Sequence, residues 1–298
     1  MRFHLLVPGG GGYDPSRRRG SEAAQRAVSP ARFADCPGVA IVPGYRTEPT
    51  FMLVREGADR NDTIDLWLAC CLAGIAGALN SAAFYTVGFF SANMTGNVSA
   101  LSGSLALEQW TKGLFYVSIV LVFIGGAMCA ALTIDAGRRQ RMTGIYAFAI
   151  VAESILLLAL GCADLWVVWR WRVPAVVLGL AFLMGFQNAV GTRISGAKVR
   201  TTHISGLATD IGIELAAAID KVRFRGEGTG AAANPMKLRL HVCTVLSFLA
   251  GGVGGVLMFR SIGAYMLIIS AALLFAIAFL AIAQSRRISP RVSAGAVP

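Results

Sequence analysis

Two short polar stretches interrupt an otherwise apolar chain: SANMTGN at 91–97 and RTTHISG at 200–206. Asn93, Thr95 and Gly96 in the first stretch are matched by His203, Ser205 and Gly206 in the second. Upstream of each, at intervals of 13 and 15 residues, stand Asn80 and Asn188. These eight residues are the candidate substrate-binding set. Amides, hydroxyls and an imidazole recognise a ligand by hydrogen bonds, and a helix starting beside them adds free N–H groups and partial positive charge. A carboxylate-bearing or other anionic ligand suits that combination. Thr95 and Ser205 read as N-caps of short helices, and Gly96 and Gly206 as points where another backbone comes close. The plainer alternative is a loop followed by a surface helix. For Asn80 and Asn188 the alternative is a hydrogen bond across the interface between two halves of the protein.

Three acids are candidates for proton or cation coupling: Glu153, Asp210 and Glu214. Glu153 lies inside the run IYAFAIVAESILLLAL. A carboxyl there costs about 3 kcal/mol on insertion scales, which makes it a functional candidate by default. Its alternative is a protonated side chain bonded to a neighbouring helix. Asp210 and Glu214 are four apart and share a helical face, with the neutral Ala100 and Ser104 as counterparts in the first half. The competing reading pairs them with Arg193, Lys198 or Arg200 on a solvated face. His203 titrates near neutral pH in free solution, or simply caps or bonds backbone.

Other chemistry finds no support. The three histidines have no ligand-like spacing, no CxxC occurs, and four of the six cysteines (Cys70, Cys71, Cys129, Cys243) lie in apolar runs. No metal and no cofactor is implied. GTRISGAK at 191–198 lacks the ending of a phosphate loop. No nucleophile–base pair stands out, so the chain does not read as an enzyme.

The elements that position these residues follow from composition. The chain is 55% hydrophobic and 14% charged, with mean hydropathy +0.63, against about 25% charge in soluble domains. Residues 66–90 contain no charge at all. Six stretches reach the length a bilayer demands: 66–90, 114–134, 143–162, 173–190, 240–258 and 262–283. Pro174 suits the first turn of the fourth, and Trp166, Trp169 and Trp171 form an interfacial cluster before it. The net charge of +11 lies between apolar runs, which argues for the positive-inside rule and against nucleic acid. Alternate sides carry 23 and 4 Lys and Arg, or 16 and 4 without residues 1–51. Both termini are therefore expected in the cytoplasm.

Residues 1–60, rich in Gly, Pro, Arg and Ser, read as a disordered cytoplasmic segment. MLVREGADRN reads as an alternative start at Met52, leaving 1–51 untranslated. The membrane domain is expected over 61–285, with repeats at 66–162 and 173–283 and a cytoplasmic tail over 286–298. Small residues four apart recur in the third element of each half, Gly126/Ala130 and Gly251/Gly255, spaced for close helix approach. Three spans per half make the repeat an inverted one. The fold expected is an all-α membrane bundle of two inverted three-helix repeats, with re-entrant half-helices over 97–107 and 207–219.

GFFSANMTGN and RTTHISGLATDIGIEL resemble the two signature stretches of the bacterial YoaK family of multi-pass inner-membrane proteins, a domain-of-unknown-function family. The resemblance covers roughly residues 52–285. It implies a six-span protein of the bacterial inner membrane and brings no substrate, cofactor or catalytic residue. Asn93 departs from the histidine expected there. A small-molecule or ion transporter is the leading expectation, by analogy with other inverted-repeat membrane proteins. The runner-up is a non-transporting scaffold or lipid-interacting regulator, supported by eight Lys and Arg between 191 and 239. The partners expected are the lipid bilayer and an unknown small molecule or ion. A homo-oligomer is compatible with both readings.

Overall fold

The computed structural model describes residue 53 and residues 62–142, 144–166, 169–223 and 234–293. The expectations for residues 1–51 and for a later start at Met52 lie outside the described residues. Every described element is a helix: α1 (Asp62–Val87), α2 (Met94–Ala106), α3 (Trp110–Arg139), α4 (Ile145–Trp166), α5 (Trp169–Ile194), α6 (Ile204–Arg223), α7 (Pro235–Ile262) and α8 (Tyr265–Ser293). Six of them, all but α2 and α6, are long and apolar enough to cross a membrane. They coincide with the six apolar runs. In hydrocarbon each backbone N–H and C=O must find its partner within the segment, which a helix alone provides without a neighbouring strand.

Pro174 is a correction. Residues 169–172 are helical, so the proline stands inside α5 and not in its first turn. The extra turn is anchored by Arg172, which forms a two-pronged ion pair with Asp164 of α4, Nε–Oδ1 at 2.6 Å and Nη2–Oδ2 at 3.1 Å. Trp166 and Trp171 are exposed beside it.

Long-range packing joins α1 to α7, α3 to α5 and α4 to α8, while α2 lies on α3 and α6 on α7. Exchanging the first four helices for the last four maps these contacts onto one another. Backbone meets backbone where α1 crosses α7 and where α3 crosses α5. A methyl group added at Gly77 would strike the Phe248 carbonyl, and one at Gly251 the Gly74 carbonyl. At the other crossing, Gly126 sits against the carbonyl of Phe182 and Gly185 against that of Phe123. Gly255 abuts the backbone of Ala78, and Ala130 is fully buried. The small-residue spacing thus marks the crossings. The main core gathers apolar side chains of α1, α4, α5 and α8. The outward stripes Leu114, Leu121, Met128 on α3 and Leu246, Val253 on α7 are exposed, as lipid-facing helices require.

Candidate functional site

The site begins with two side chains that hold a returning loop. After α1 the chain reverses at Gly88, whose φ of 74° lies in the left-handed region. It then runs back along the helix it has just left. The N–H of Ala92 donates to Asn80 Oδ1 at 2.9 Å, and Asn97 Nδ2 donates to the Phe90 carbonyl at 2.9 Å. Asn80 lies seven residues before the end of α1, so α2 starts about 10 Å below that end at 1.5 Å per residue. The second half repeats the manoeuvre. α5 ends at Ile194, the chain turns through Gly196 and Ala197 at φ 61° and 66°, and it returns to Asn188. There Thr201 Oγ1 donates to Asn188 Oδ1 at 3.0 Å and Asn188 Nδ2 donates to Thr202 Oγ1 at 2.7 Å. Residues 91–100 and 201–210 share the same bend-then-helix conformation and, except at 92 and 202, the same order of buried and exposed positions.

Asn80 and Asn188 thus hold loops of their own halves and, among the described residues, make no bond between halves. The caps also differ from expectation. α2 starts at Met94, and its N-cap is Asn93, whose Oδ1 accepts from Gly96 N at 3.0 Å. His203 takes the equivalent position before α6, its carbonyl accepting from Leu207 N at 3.0 Å as that of Asn93 does from Asn97 N at 3.1 Å. Thr95 and Ser205 are instead the second residues of their helices. What comes closest to Gly96 and Gly206 is the side chain of these neighbours: a methyl at Gly96 would lie 2.7 Å from Asn93 Nδ2, and one at Gly206 would run into the His203 ring. Each motif is therefore a cap residue followed three positions later by the glycine that accommodates it. In the first motif asparagine outranks threonine as an N-cap, and that preference is the available signal; in the second the same ranking favours Ser205 over His203 and gives none.

Both motifs open onto one cavity of about 860 Å³. Asn80, Asn93, Thr95, Gly96, Asn188, His203 and Ser205 line it, and of the eight candidates Gly206 alone does not. Arg200, which the sequence offers only as a partner for Asp210 or Glu214, lies in the same stretch and lines the cavity. Phe123 and Phe248, at the two helix crossings, complete the apolar side of the wall. No carboxylate is among the described lining residues, whereas Arg200 and the two helix starts bring positive charge to the cavity.

The three acids lie elsewhere. Glu153 is buried in α4 at 1% exposure, and neither of its oxygens has a hydrogen-bond partner among the described residues. Glu214 on α6 accepts from Asn234 N at 3.2 Å and pairs with Lys237 Nζ at 3.2 Å. The N–H of Asn234 and the ammonium of Lys237 hold its carboxyl below the usual carboxylate range. The expected partners are engaged differently: Arg193 with Asp135, and Lys198 with Asp65 at 3.8 Å. Asp210 is half-buried on the same helix and outside the cavity lining.

An all-α bundle of six span-length apolar helices, with two shorter helices starting at a polar cavity, defines a multi-pass membrane protein. Residues 68–280 match the family described as Protein of unknown function (DUF1275), and the chain belongs to that family. No curated protein and no solved structure matches it.

Proposed function

We propose that the protein is a permease for a small organic or inorganic anion, working in the bacterial inner membrane and catalysing no covalent chemistry. The observation that carries this reading is the shared cavity: both polar motifs line it, two helices start at it, Arg200 lines it, and none of its described lining residues is an acid. The exchangeable contacts of the two halves support an inverted repeat, in which α2 and α6 enter from opposite faces as re-entrant half-helices. The charge bias puts both termini in the cytoplasm. The resemblance of its two motifs to those of the YoaK family agrees with this placement.

The test is uptake and retention of a labelled mixture of small anions by the purified protein in lipid vesicles. Wild type should retain at least one anion, and Arg200→Gln should retain about tenfold less, the effect of losing one charge-assisted contact of about 1.5 kcal/mol. Retention of none, or equal retention by both, would remove the reading. A specific observation favours the scaffold alternative: α6 exposes Ile213, Leu215 and Ile219 and ends in Lys221 and Arg223. That arrangement suits a surface of anionic lipid. Under the scaffold reading, vesicle composition matters and the anions do not.

A further inference from the structure

Both halves contribute to the wall of the shared cavity, but they do not contribute the same chemistry. Arg200 and His203 both belong to the second motif, just before α6 starts at Ile204. Arg200 stands immediately before 201–210 as Phe90 stands immediately before 91–100, and His203 takes the place of Asn93. The lining residues of the first motif are therefore all neutral, with an aromatic ring where the second has a guanidinium. Arg172, Arg193, Lys198 and Lys237 are each ion-paired, whereas Arg200 has no ion pair among the described residues. Its charge is left for whatever enters the cavity. The volume of about 860 Å³ falls in the range of roughly 300–1,000 Å³ that suits small organic molecules. A bare inorganic anion would leave most of that space to water. Phe90 of the returning loop, Phe123 of α3 and Phe248 of α7 line the cavity and are only half-buried, so each keeps apolar surface for a ligand to cover. Phe90 is fixed in place: its ring stacks on Phe84 with centroids 4.1 Å apart, and its carbonyl accepts from Asn97 Nδ2.

We propose that the ligand of this cavity is an aromatic monocarboxylate, its carboxylate held by Arg200 beside the start of α6 and its ring covered by the phenylalanines. The inference rests on the permease reading, because it names the cargo of the same site. A planar guanidinium can bond both oxygens of one carboxylate. A flat apolar body gains burial and offset stacking against aromatic side chains. A dicarboxylate would bring its second charge to a wall whose described residues offer no second arginine or lysine, and losing water there without a counter-ion is costly. Acetate would satisfy Arg200 and leave the rings wet.

Equilibrium binding of labelled benzoate, acetate, succinate and sulfate to the full-length protein in lipid nanodiscs tests the class of ligand apart from transport, and in wild type it needs no variant to fold. Benzoate should bind about tenfold more tightly than acetate, a modest return for burying a ring, and succinate and sulfate should bind no better than acetate. Ser99 lines the cavity on the side of the first motif, and its hydroxyl bonds the Thr95 carbonyl of its own helix. Ser99→Arg should therefore strengthen succinate more than benzoate. Succinate, sulfate or acetate binding as tightly as benzoate, or equal strengthening of benzoate and succinate by Ser99→Arg, would overturn the aromatic class and leave an anion permease standing. Preferential binding of benzoate without its retention in vesicles would uphold the ligand class and remove the permease reading. Binding of none of the four would overturn the proposal.

Discussion

At the residue scale the two motifs are built alike and differ in their cap. Asn93 reaches back to Gly96 N, and His203 lies over Gly206 in the same position. Asn93→Ala should lower thermal stability by about 1 kcal/mol, the typical worth of an N-cap side chain. Gly206→Ala should cost more, because the new methyl displaces the His203 ring. Adding His203→Ala should then restore part of the loss, a non-additivity that thermal unfolding of the single and double variants would show. Two independent losses would mean that the glycine serves something other than the cap. Glu214 gives a pH dependence. Its carboxyl is depressed in the folded protein by Asn234 and Lys237. The stability it contributes is present above the ordinary carboxylate value, about 4.3. It is lost as pH falls through the lower folded value. Thermal midpoints of wild type and Glu214→Gln should therefore converge in acid and separate toward neutral pH. A constant gap would show that the Glu214 charge is not what ties α6 to the start of α7.

At the scale of elements the crossings carry the argument. α1 on α7 and α3 on α5 touch through backbone, because glycine removes the side chain that would hold them apart. A carbonyl oxygen cannot swing away as a side-chain tip can. Gly251→Leu and Gly126→Leu should therefore cost at least the 1–3 kcal/mol typical of overpacking. Gly125 stands next to Gly126, and Gly254 lies three residues after Gly251 and next to Gly255; neither has anything within 4 Å of an added methyl. Alanine at either should be neutral or slightly stabilising, since glycine inside a helix costs roughly 0.5–1 kcal/mol. Unfolding midpoints of the four variants would check this, and equal effects at neighbouring glycines would refute the crossing geometry. Most span boundaries were legible within about five residues, because a run of apolar side chains sets a span directly; the end of α8, at Ser293, lies ten residues past its apolar run. The start of α5 lies four residues before its own. Its first turn, with Trp169 and Arg172, is polar and aromatic, and it is held by the ion pair to Asp164.

At the scale of the whole molecule, topology is the quantity to measure. Reporter fusions after residues 140 and 290 should read inside, and fusions after 110 and 261 outside. An outside reading after 140 would reverse the orientation and unseat the inverted repeat. On the proposed inverted repeat, the two returning loops would start α2 and α6 from opposite sides toward the one cavity their motifs line. Cysteines placed at Gly96 and Gly206 test this. If re-entrant, at least one should resist polar thiol reagents applied from its own side. Free labelling at both would return these stretches to the surface.

The sequence by itself determined the six spans, the polar pairs Asn80/Asn188, Asn93/His203 and Thr95/Ser205, and the small residues of the crossings. These are local matters: apolar length and residue type are visible without knowing which helix meets which. The tertiary structure alone decided what each polar residue bonds. Asn80 and Asn188 look equally suited to a ligand, a facing helix or a loop, and only the backward fold of 88–93 and 195–203 turns them to Ala92 and to Thr201 and Thr202. Arg200 looks like one more cytoplasmic charge until α6 is placed beside α2 at the same cavity.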